Sequence, residues 1–279
     1  MYKTIVVHLS SATGTPRTLD IAAGLANSMG AHLIGATTSG IVELNYLLAA
    51  GAEGGSMLLP EDCERLHAEA QQRLQSFDKH CNECGVNSFE TRMLDVSQAD
   101  AMLLQSSYCD LLVADLEDVA SHGLLMPAAL PGTLVTRAAR PVMLVPPLAS
   151  PSAAFSNLLI AWNGSMGINR VIALALPLIA RAAKVTIAVC NPEAEQIDAG
   201  GEPGADLAAY LARHNRNVEV VRRDTDEEAD TALVNLAAET CADLMLAGAF
   251  GHTRLRQWVL GSTTRGLLRQ TRIPLLMTH

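Results

Sequence analysis

The C-terminal segment Ala242–His279 decides the fold and reads ADLMLAGAFGHTRLRQWVLGSTTRGLLRQTRIPLLMTH. A near-continuous apolar run ends at Gly248, and Gly251 follows it in the next loop. Gly261 and Ser262 then open a helical stretch, and a second short apolar run closes the chain. Short apolar runs that alternate with helical stretches are typical of parallel strands buried between helices. The segment therefore predicts an α/β fold.

The chain contains an internal repeat. The stretch CDLLVADLED begins at Cys109 and is similar to ADLMLAGAFG, which begins at Ala242. The stretch YKTIVVHLSS begins at Tyr2 and is similar to SNLLIAWNGS, which begins at Ser156. Self-similarity over such a distance predicts two related domains in one chain.

The two predicted domains span residues 1–148 and 154–279, and the linker between them is rich in Pro, Ser and Ala. In each half, apolar runs alternate with helical stretches, an order that gives a parallel, doubly wound sheet. The predicted fold class is therefore α/β, with two tandem Rossmann-like domains that each have a five-stranded parallel sheet core. The first half is longer, and its extra residues are expected around Gly40–Pro60.

Composition and charge argue against several classes of function. The formal net charge of −9 disfavours non-specific binding to DNA or to acidic membranes. Aromatic residues make up 4% of the chain, too few for a surface that stacks single-stranded nucleic acid. No stretch approaches the roughly 18 apolar residues of a membrane helix, and the N-terminal apolar run is too short for a signal peptide. Six cysteines without regular spacing indicate reduced thiols, so we expect a cytoplasmic protein.

The glycines of the C-terminal segment suit the binding of phosphate groups. Glycine lets backbone N–H groups approach a ligand closely, and a helix N-terminus offers unpaired donors and partial positive charge. The hydroxyls of Ser262, Thr263 and Thr264 can cap that helix or bind phosphate oxygens. The other interpretation is a tight loop followed by a capped helix. Neither a Walker motif nor G-x-G-x-x-G is present, so spacing alone leaves both interpretations open.

The spacing Gly-x2-Gly-x9-Gly-Ser resembles the nucleotide-binding motif of the universal stress protein family, and Gly248, Gly251, Gly261 and Ser262 match it without a gap. The stretches LLIAWNGS and VTIAVCN are similar to the first two strands of that family. The resemblance covers both halves, so the chain looks like a tandem member. It implies a cytoplasmic stress-response protein that binds ATP, alone or with Mg²⁺, or another adenine nucleotide.

The resemblance also implies the residues of the site. Ala161 and Val189 would flank the adenine, and Asn163 stands where members that bind ATP usually have Asp. The ribose and phosphates would contact Ala247, Gly248, Gly251, Gly261, Ser262, Thr263 and Thr264. Arg254, a cation in the loop, is predicted to contact a phosphate.

The first half carries acidic residues where the second has glycines. The motif positions there are occupied by Asp115, Asp118, Ala128 and Ala129. A carboxylate ~4 Å from a phosphate costs roughly 4 kcal/mol at an effective dielectric near 20. We therefore expect no ATP in the first domain. The acidic cluster formed with Glu117 suits either a divalent cation or a solvated loop, and the solvated loop is favoured.

Another candidate site is a set of possible zinc ligands, namely Cys63, His67, His80, Cys81 and Cys84. A continuous helix would separate Cys63 from Cys81 by roughly 27 Å, which is too far for one tetrahedral site. We therefore favour the interpretation that these are core or surface residues, with no metal.

The function predicted is a ligand-gated binding module. ATP would order the loop between Gly251 and Gly261 and so change a partner surface. The sequence offers no evident base to activate water, so catalysis is expected to be weak ATP hydrolysis at most. The alternatives are a slow ATPase or phosphotransferase, and a nucleotide-free scaffold or small-molecule carrier. In this family the final strands pair between domains, and we expect those after Pro141 and Pro274 to pair within the chain, with homodimerisation as a further option. The protein partner cannot be named.

Overall fold

The computed structural model describes residues 1–10, 16–51, 58–116, 130–150, 152–191, 202–215, 217–249 and 261–279. Helices follow strands through both halves, with two helices in succession between β2 and β3. The elements of the first half are β1 Thr4–His8, α1 Pro16–Met29, β2 His32–Thr38, α2 Ile41–Gly51, α3 Pro60–Glu83, β3 Phe89–Leu94, α4 Gln98–Ser106, β4 Leu111–Asp115, α5 Leu130–Arg137 and β5 Val142–Val145. Those of the second half are β6 Asn157–Ala161, α6 Met166–Ile179, β7 Lys184–Cys190, α7 Ala205–Leu211, β8 Val218–Arg223, α8 Ala229–Glu239, β9 Leu244–Gly248, α9 Ser262–Gln270 and β10 Leu275–Thr278.

The strands form one continuous sheet in the order β3-β2-β1-β4-β5-β10-β9-β6-β7-β8. Each half contributes five neighbouring parallel strands, as the sequence predicts. The two halves meet where β5 and β10 pair antiparallel, with Leu144 opposite Leu275 and Met143 opposite Leu276. The expected pairing of the two final strands within the chain is thus confirmed.

The strands are apolar because both faces of the sheet are covered. Along β1, Ile5 and Val7 contribute to one buried cluster, while Val6 contributes to the cluster on the opposite face. Both clusters continue across the junction of the halves, where Met143 and Leu276 are 0% exposed. Burial of each such side chain stabilises the fold by roughly 1.5–3 kcal/mol. The junction is therefore part of the hydrophobic core.

The hydrogen-bond registers show which residues of the halves correspond. Ile5 of β1 pairs with Leu111 of β4, and Leu158 of β6 pairs with Leu244 of β9. Ile5 therefore corresponds to Leu158, one residue away from the alignment that the similar N-terminal stretches suggest. By this register Ser10 is the counterpart of Asn163.

The extra residues of the first half lie between β2 and β3, as expected. They include α2 and the 24-residue α3, where the second half has the 7-residue α7 between β7 and β8. Helix α3 packs on the outer strands of the first half through Phe77 and Cys81, which are 1% and 0% exposed. Within the described ranges, no helix combines the length and apolar character that crossing a bilayer requires.

Candidate functional site

The predicted site lies at the carboxyl edge of the second half of the sheet. The chain passes from β6 to β7 and β8 on one side, and β9 lies on the other side of β6. Such a reversal of strand order leaves a crevice at the carboxyl ends of the strands, where doubly wound sheets bind their ligands. Helix α9 begins beside this crevice, since Thr264 in its first turn contacts the backbone just after β9.

Gly248 ends β9 at a point where the first turn of α6 lies directly against it. A Cβ on Gly248 would come within 2.7 Å of the Ile168 backbone nitrogen and 3.1 Å of the Gly167 carbonyl carbon. Gly167 has the same restriction, because its Cβ would lie 3.3 Å from the Gly248 Cα. The two glycines let two backbones approach each other. Gly248 therefore has a packing role apart from any ligand.

Gly261 makes no comparable packing contact with the described residues. It is the N-cap of α9, with φ −57° and ψ 158°, so its backbone is open to any residue. A Cβ placed on it would meet no described atom within 4 Å. No side chain caps α9, because Ser262 is its first helical residue and not its cap. The structure thus differs from the capped-helix interpretation, and the first-turn N–H groups lack a side-chain acceptor among the described residues.

The three hydroxyl residues of α9 differ in burial and contacts. Thr264 is 5% exposed, and its hydroxyl donates a hydrogen bond to the Ala249 carbonyl oxygen at 2.9 Å. This bond fastens the start of α9 to the end of β9. Ser262 is exposed and Thr263 is half-buried, so these two are better placed to meet a ligand.

The residues predicted to flank adenine lie on two faces of the sheet. Ala161 and Ala247 both pack with the cluster that contains Leu159 and Met245. Val189 belongs to the opposite cluster, where its side chain lies beside Gly204, the residue before α7. The structure therefore brings Ala161 and Ala247 together, and Val189 reaches the same edge through its backbone.

Asn163 shapes the turn between β6 and α6. Its Oδ1 accepts a hydrogen bond from the Ser165 backbone N–H at 3.2 Å, and Gly164 between them has φ +68°. The Ser165 hydroxyl oxygen in turn accepts from the Ile168 N–H at 3.4 Å and caps α6. Of the other predicted residues, Gly251 and Arg254 lie outside the described residues.

Comparisons with known proteins agree with this architecture. The family model of the universal stress protein family matches residues 168–279. The second half of the chain belongs to the universal stress protein family. A universal stress protein of Synechocystis sp. is 48% identical over 48 residues, which is 17% of this chain and 17% of that protein.

Solved structures show the fold of the whole chain. A universal stress protein from Archaeoglobus fulgidus superposes with a TM-score of 0.70 at 12% identity, covering 98% of this chain and 94% of its own. A candidate universal stress protein from Pseudomonas aeruginosa superposes with a TM-score of 0.60 at 17% identity, covering 99% and 92%. Both likenesses span the two halves, so the first half shares the universal stress protein fold as well.

In the first half of this universal stress protein fold, the residues at the carboxyl edge of the sheet differ from those of the second half. Asp115 ends β4 at the position of Gly248, and its carboxylate accepts hydrogen bonds from the hydroxyls of Ser10, at 2.8 Å, and Thr18. These bonds attach the loop after β1 and helix α1 to the end of β4. The predicted counterparts Asp118, Ala128 and Ala129, and Glu117 beside them, lie outside the described residues.

His8 also distinguishes the first half, because it stands at the position of Ala161. It is 4% exposed, and burial lowers the pKa of its imidazole from 6.5 to about 4. The carboxylate of Asp115 acts in the opposite direction, and the guanidinium of Arg73 adds to the lowering. His8 is therefore neutral at pH 7 and adds no charge to this edge.

Two buried residues of the second half lie outside the set of site residues that the sequence predicted. The indole Nε1 of Trp162, which follows β6, is buried without a hydrogen-bond partner in the described structure. Asp230 of α8 is 8% exposed, and its carboxylate lies over Gly266 of α9 and accepts a hydrogen bond from Gln270 Nε2 at 3.0 Å. A Cβ on Gly266 would lie 1.5 Å from Asp230 Oδ2, so this contact sets the position of α9. A glycine inside a helix was the available signal.

Proposed function

We propose that the second half binds an adenine nucleotide, ATP alone or with Mg²⁺, and that the protein is a ligand-gated binding module of the stress response. We also propose that the halves are domains spanning residues 1–148 and 154–279. The observation that carries the nucleotide proposal is the start of α9. There, within the part of the chain that the structure describes, Gly261 leaves space around its Cα and the helix N-terminus has no side-chain cap.

The start of α9 suits a phosphate for two physical reasons. Its first backbone N–H groups need acceptors, and the helix dipole favours negative charge at this end. Each hydrogen bond to a charged acceptor contributes roughly 1.5–3 kcal/mol. Because a side chain at Gly261 would meet no described atom within 4 Å, close packing against the described residues does not explain the glycine. Close approach of its backbone to a ligand does explain it.

The site lies between the carboxyl edge of the sheet and the start of α9, so a ligand bound there would contact both. A nucleotide held at the ends of β6 and β9 and at the start of α9 would couple the sheet to the helix. Helix α9 packs on α8 through the Asp230–Gly266 contact. A shift of α9 would therefore also move α8 and change the surface around it. We infer that the bound nucleotide controls a partner surface in this way.

Titration calorimetry of nucleotide-stripped protein with Mg-ATP tests the proposal, and we expect one site per chain. Gly261→Asp and Gly261→Asn form a matched pair of equal size that differ in charge. The Asp carboxylate would stand ~4 Å from a phosphate, which costs roughly 4 kcal/mol at an effective dielectric near 20. We expect Gly261→Asp to weaken binding at least about 100-fold and Gly261→Asn to stay within about tenfold of the parent.

Thermal melting provides the control for folding. Asp and Asn are both favoured N-cap residues, so neither variant should melt below the parent protein. Absence of Mg-ATP binding by the parent protein, or equal affinity of the Asp and Asn variants, would contradict the proposal. Release of phosphate above the rate of the Gly261→Asp variant would show that the site also hydrolyses ATP.

A further inference from the structure

Three potential metal ligands from α1 and α3 converge on one point of the first half. His80 Nε2 lies 3.2 Å from Asp20 Oδ1 and 3.5 Å from Cys84 Sγ. The three ligand atoms all lie within 4.8 Å of one another, and no other such His, Cys and acidic cluster is found among the described residues. Asp20 is 60 positions from His80, so no local sequence pattern indicates that the three residues lie together.

The contacts are hard to explain as ordinary hydrogen bonds. A ring nitrogen of histidine carries either one hydrogen or one lone pair. Nε2 of His80 therefore cannot both donate to the Asp20 carboxylate and accept from the Cys84 thiol. A cation placed between the three atoms would bind the nitrogen lone pair, the sulfur and the carboxylate oxygen together. One N–H shared between the carboxylate and the sulfur would make only a weak contact to each, so the convergence on one nitrogen suits a metal site better than a hydrogen-bonded relay.

Two of the three separations agree with tetrahedral zinc, and the third, between oxygen and sulfur, is within 4.8 Å. Zn–S bonds of about 2.3 Å and Zn–N or Zn–O bonds of about 2.0–2.1 Å place tetrahedral N and S ligands about 3.6 Å apart, and N and O ligands about 3.3 Å apart. The observed distances between the corresponding atoms are 3.5 and 3.2 Å. A set of thiolate, imidazole and carboxylate is also one that Zn²⁺ accepts.

The backbone holds the ligands in place. Cys84 caps α3 and its N–H bonds the His80 carbonyl at 2.9 Å, which keeps the two residues one helical turn apart on one face. Gly85 follows with φ +65°, and the helix ends in a pattern that leaves Cys84 at the surface. Asn27 of α1 donates to the Cys84 carbonyl at 2.8 Å, so the end of α3 is bound to the helix that carries Asp20.

The two cysteines at the end of α3, Cys81 and Cys84, have different environments. Cys81 is 0% exposed and points into the core, whereas Cys84 is exposed beside His80. Cys63 and His67 lie near the other end of the continuous helix Pro60–Glu83, so the sequence argument against one site for all five residues holds. His80 and Cys84 instead lie close to Asp20, which is on another helix, α1.

We propose that Asp20, His80 and Cys84 bind one Zn²⁺ ion. The side chains of Asp20 and His80 are 34% and 20% exposed, so solvent reaches the cluster and a water molecule completes the tetrahedron. The ion would link α1 to α3. This site lies in the first half and is independent of the nucleotide proposed for the second.

The test is zinc titration of the full chain, treated with a chelator and kept reduced, in competition with a chromophoric zinc indicator. One Zn²⁺ per chain is expected. Cys84→Ser and His80→Gln should each weaken zinc binding by roughly 100-fold or more, and Asp20→Asn by about tenfold or more, since ligands matter at least as much as their supporting residues. The matched controls Cys63→Ser, on the same helix, and Cys241→Ser, another exposed thiol, should bind zinc as the parent does.

Cobalt substitution provides a readout that needs no variant. Co²⁺ in the parent protein should show thiolate-to-metal charge-transfer absorption and the visible bands of a tetrahedral ion, and both should disappear on addition of Zn²⁺. A parent protein that binds no stoichiometric zinc, a Cys84→Ser variant that titrates like the parent, or a cobalt spectrum without the thiolate band would each overturn the proposal.

Discussion

The two halves are alike at the amino edge of the sheet and unlike at its carboxyl edge. In the first half, Asp110 Oδ2 accepts hydrogen bonds from the backbone N–H groups of Lys3, at 2.6 Å, and Thr4, at 3.0 Å. The second half repeats this contact with Asp243, which accepts from the N–H groups of residues 156 and 157 at 2.7 and 3.0 Å. One arrangement thus starts the first strand in each half.

At the carboxyl edge the corresponding strands β4 and β9 end in different residues, an aspartate in the first half and a glycine in the second. Asp115 of the first half places a carboxylate between the end of β4 and α1, where the hydroxyls of Ser10 and Thr18 bind it. Gly248 of the second half has no side chain, and the backbone of α6 lies against it. The difference shows two ways to attach the first helix to the sheet. The one with glycine leaves the edge free of a carboxylate at that position.

The largest loss of stability is expected from a side chain at Gly248. Gly248→Ala places a methyl group 2.7 Å from the Ile168 backbone nitrogen, so α6 must move. Overpacking of this kind costs about 1–3 kcal/mol, and the free energy of unfolding measured in urea should fall by that amount. The control Gly261→Asn should lose no stability. An unchanged unfolding free energy for Gly248→Ala would mean that the close backbone contact does not hold α6.

A second prediction uses His8, which stands where the other half has Ala161. Its pKa of about 4 in the folded protein lies below the value of 6.5 expected in the unfolded chain. Between these values the unfolded state binds the extra proton, so stability is lost as the pH falls through 6.5. The contribution of His8 should lower the free energy of unfolding by about 2 kcal/mol between pH 7 and pH 5.

Urea unfolding at several pH values measures this effect. His8→Phe should flatten the dependence on pH, whatever its effect on stability at pH 7. His214→Gln, at an exposed position, should retain the pH dependence of the parent protein. An identical pH dependence of the parent and His8→Phe proteins would show that His8 titrates in the same way in both states.

The smallest effect is expected from Asp115→Ala. The variant removes the acceptor of the Ser10 and Thr18 hydroxyls, and we expect a loss of about 1–2 kcal/mol of stability. Asp226→Ala, at an exposed position, is the control and should be neutral. Mg-ATP stoichiometry should remain one per chain in both variants. A second nucleotide in Asp115→Ala would show that this carboxylate alone keeps the first half from binding.

Much of the fold was predictable because its signals are local. Apolar runs bounded by turn residues indicated the parallel strands, and the repeat from Cys109 to Ala242 indicated two similar halves. The pairing of the two final strands followed from the family resemblance, whereas the order of the other strands in the sheet is known from the structure. The exact correspondence of β1 with β6 did not follow, because apolar residues at neighbouring positions are interchangeable in an alignment and only the hydrogen-bond register distinguishes them.

The elements that carry the candidate site were predictable, but the contacts of its residues were not. The glycine spacing located the end of β9 and the start of α9. It could not show that Gly248 lies against α6 while Gly261 has no described atom within 4 Å of its Cβ position, since both are glycines in one motif. Nor could it show that the hydroxyl of Thr264 binds Ala249, because such a contact depends on how the helix lies on the sheet.

The sequence by itself determined the α/β pattern, the repeat, and a glycine motif in one half with aspartate in its place in the other. These are properties of residue type and spacing along the chain. The tertiary structure alone decided which backbones touch at Gly248, how Asp230 sets α9, and that Asp20 meets His80 and Cys84. The physical reason is that those contacts join elements far apart in the chain, and only the packing of helices on a shared sheet brings them together.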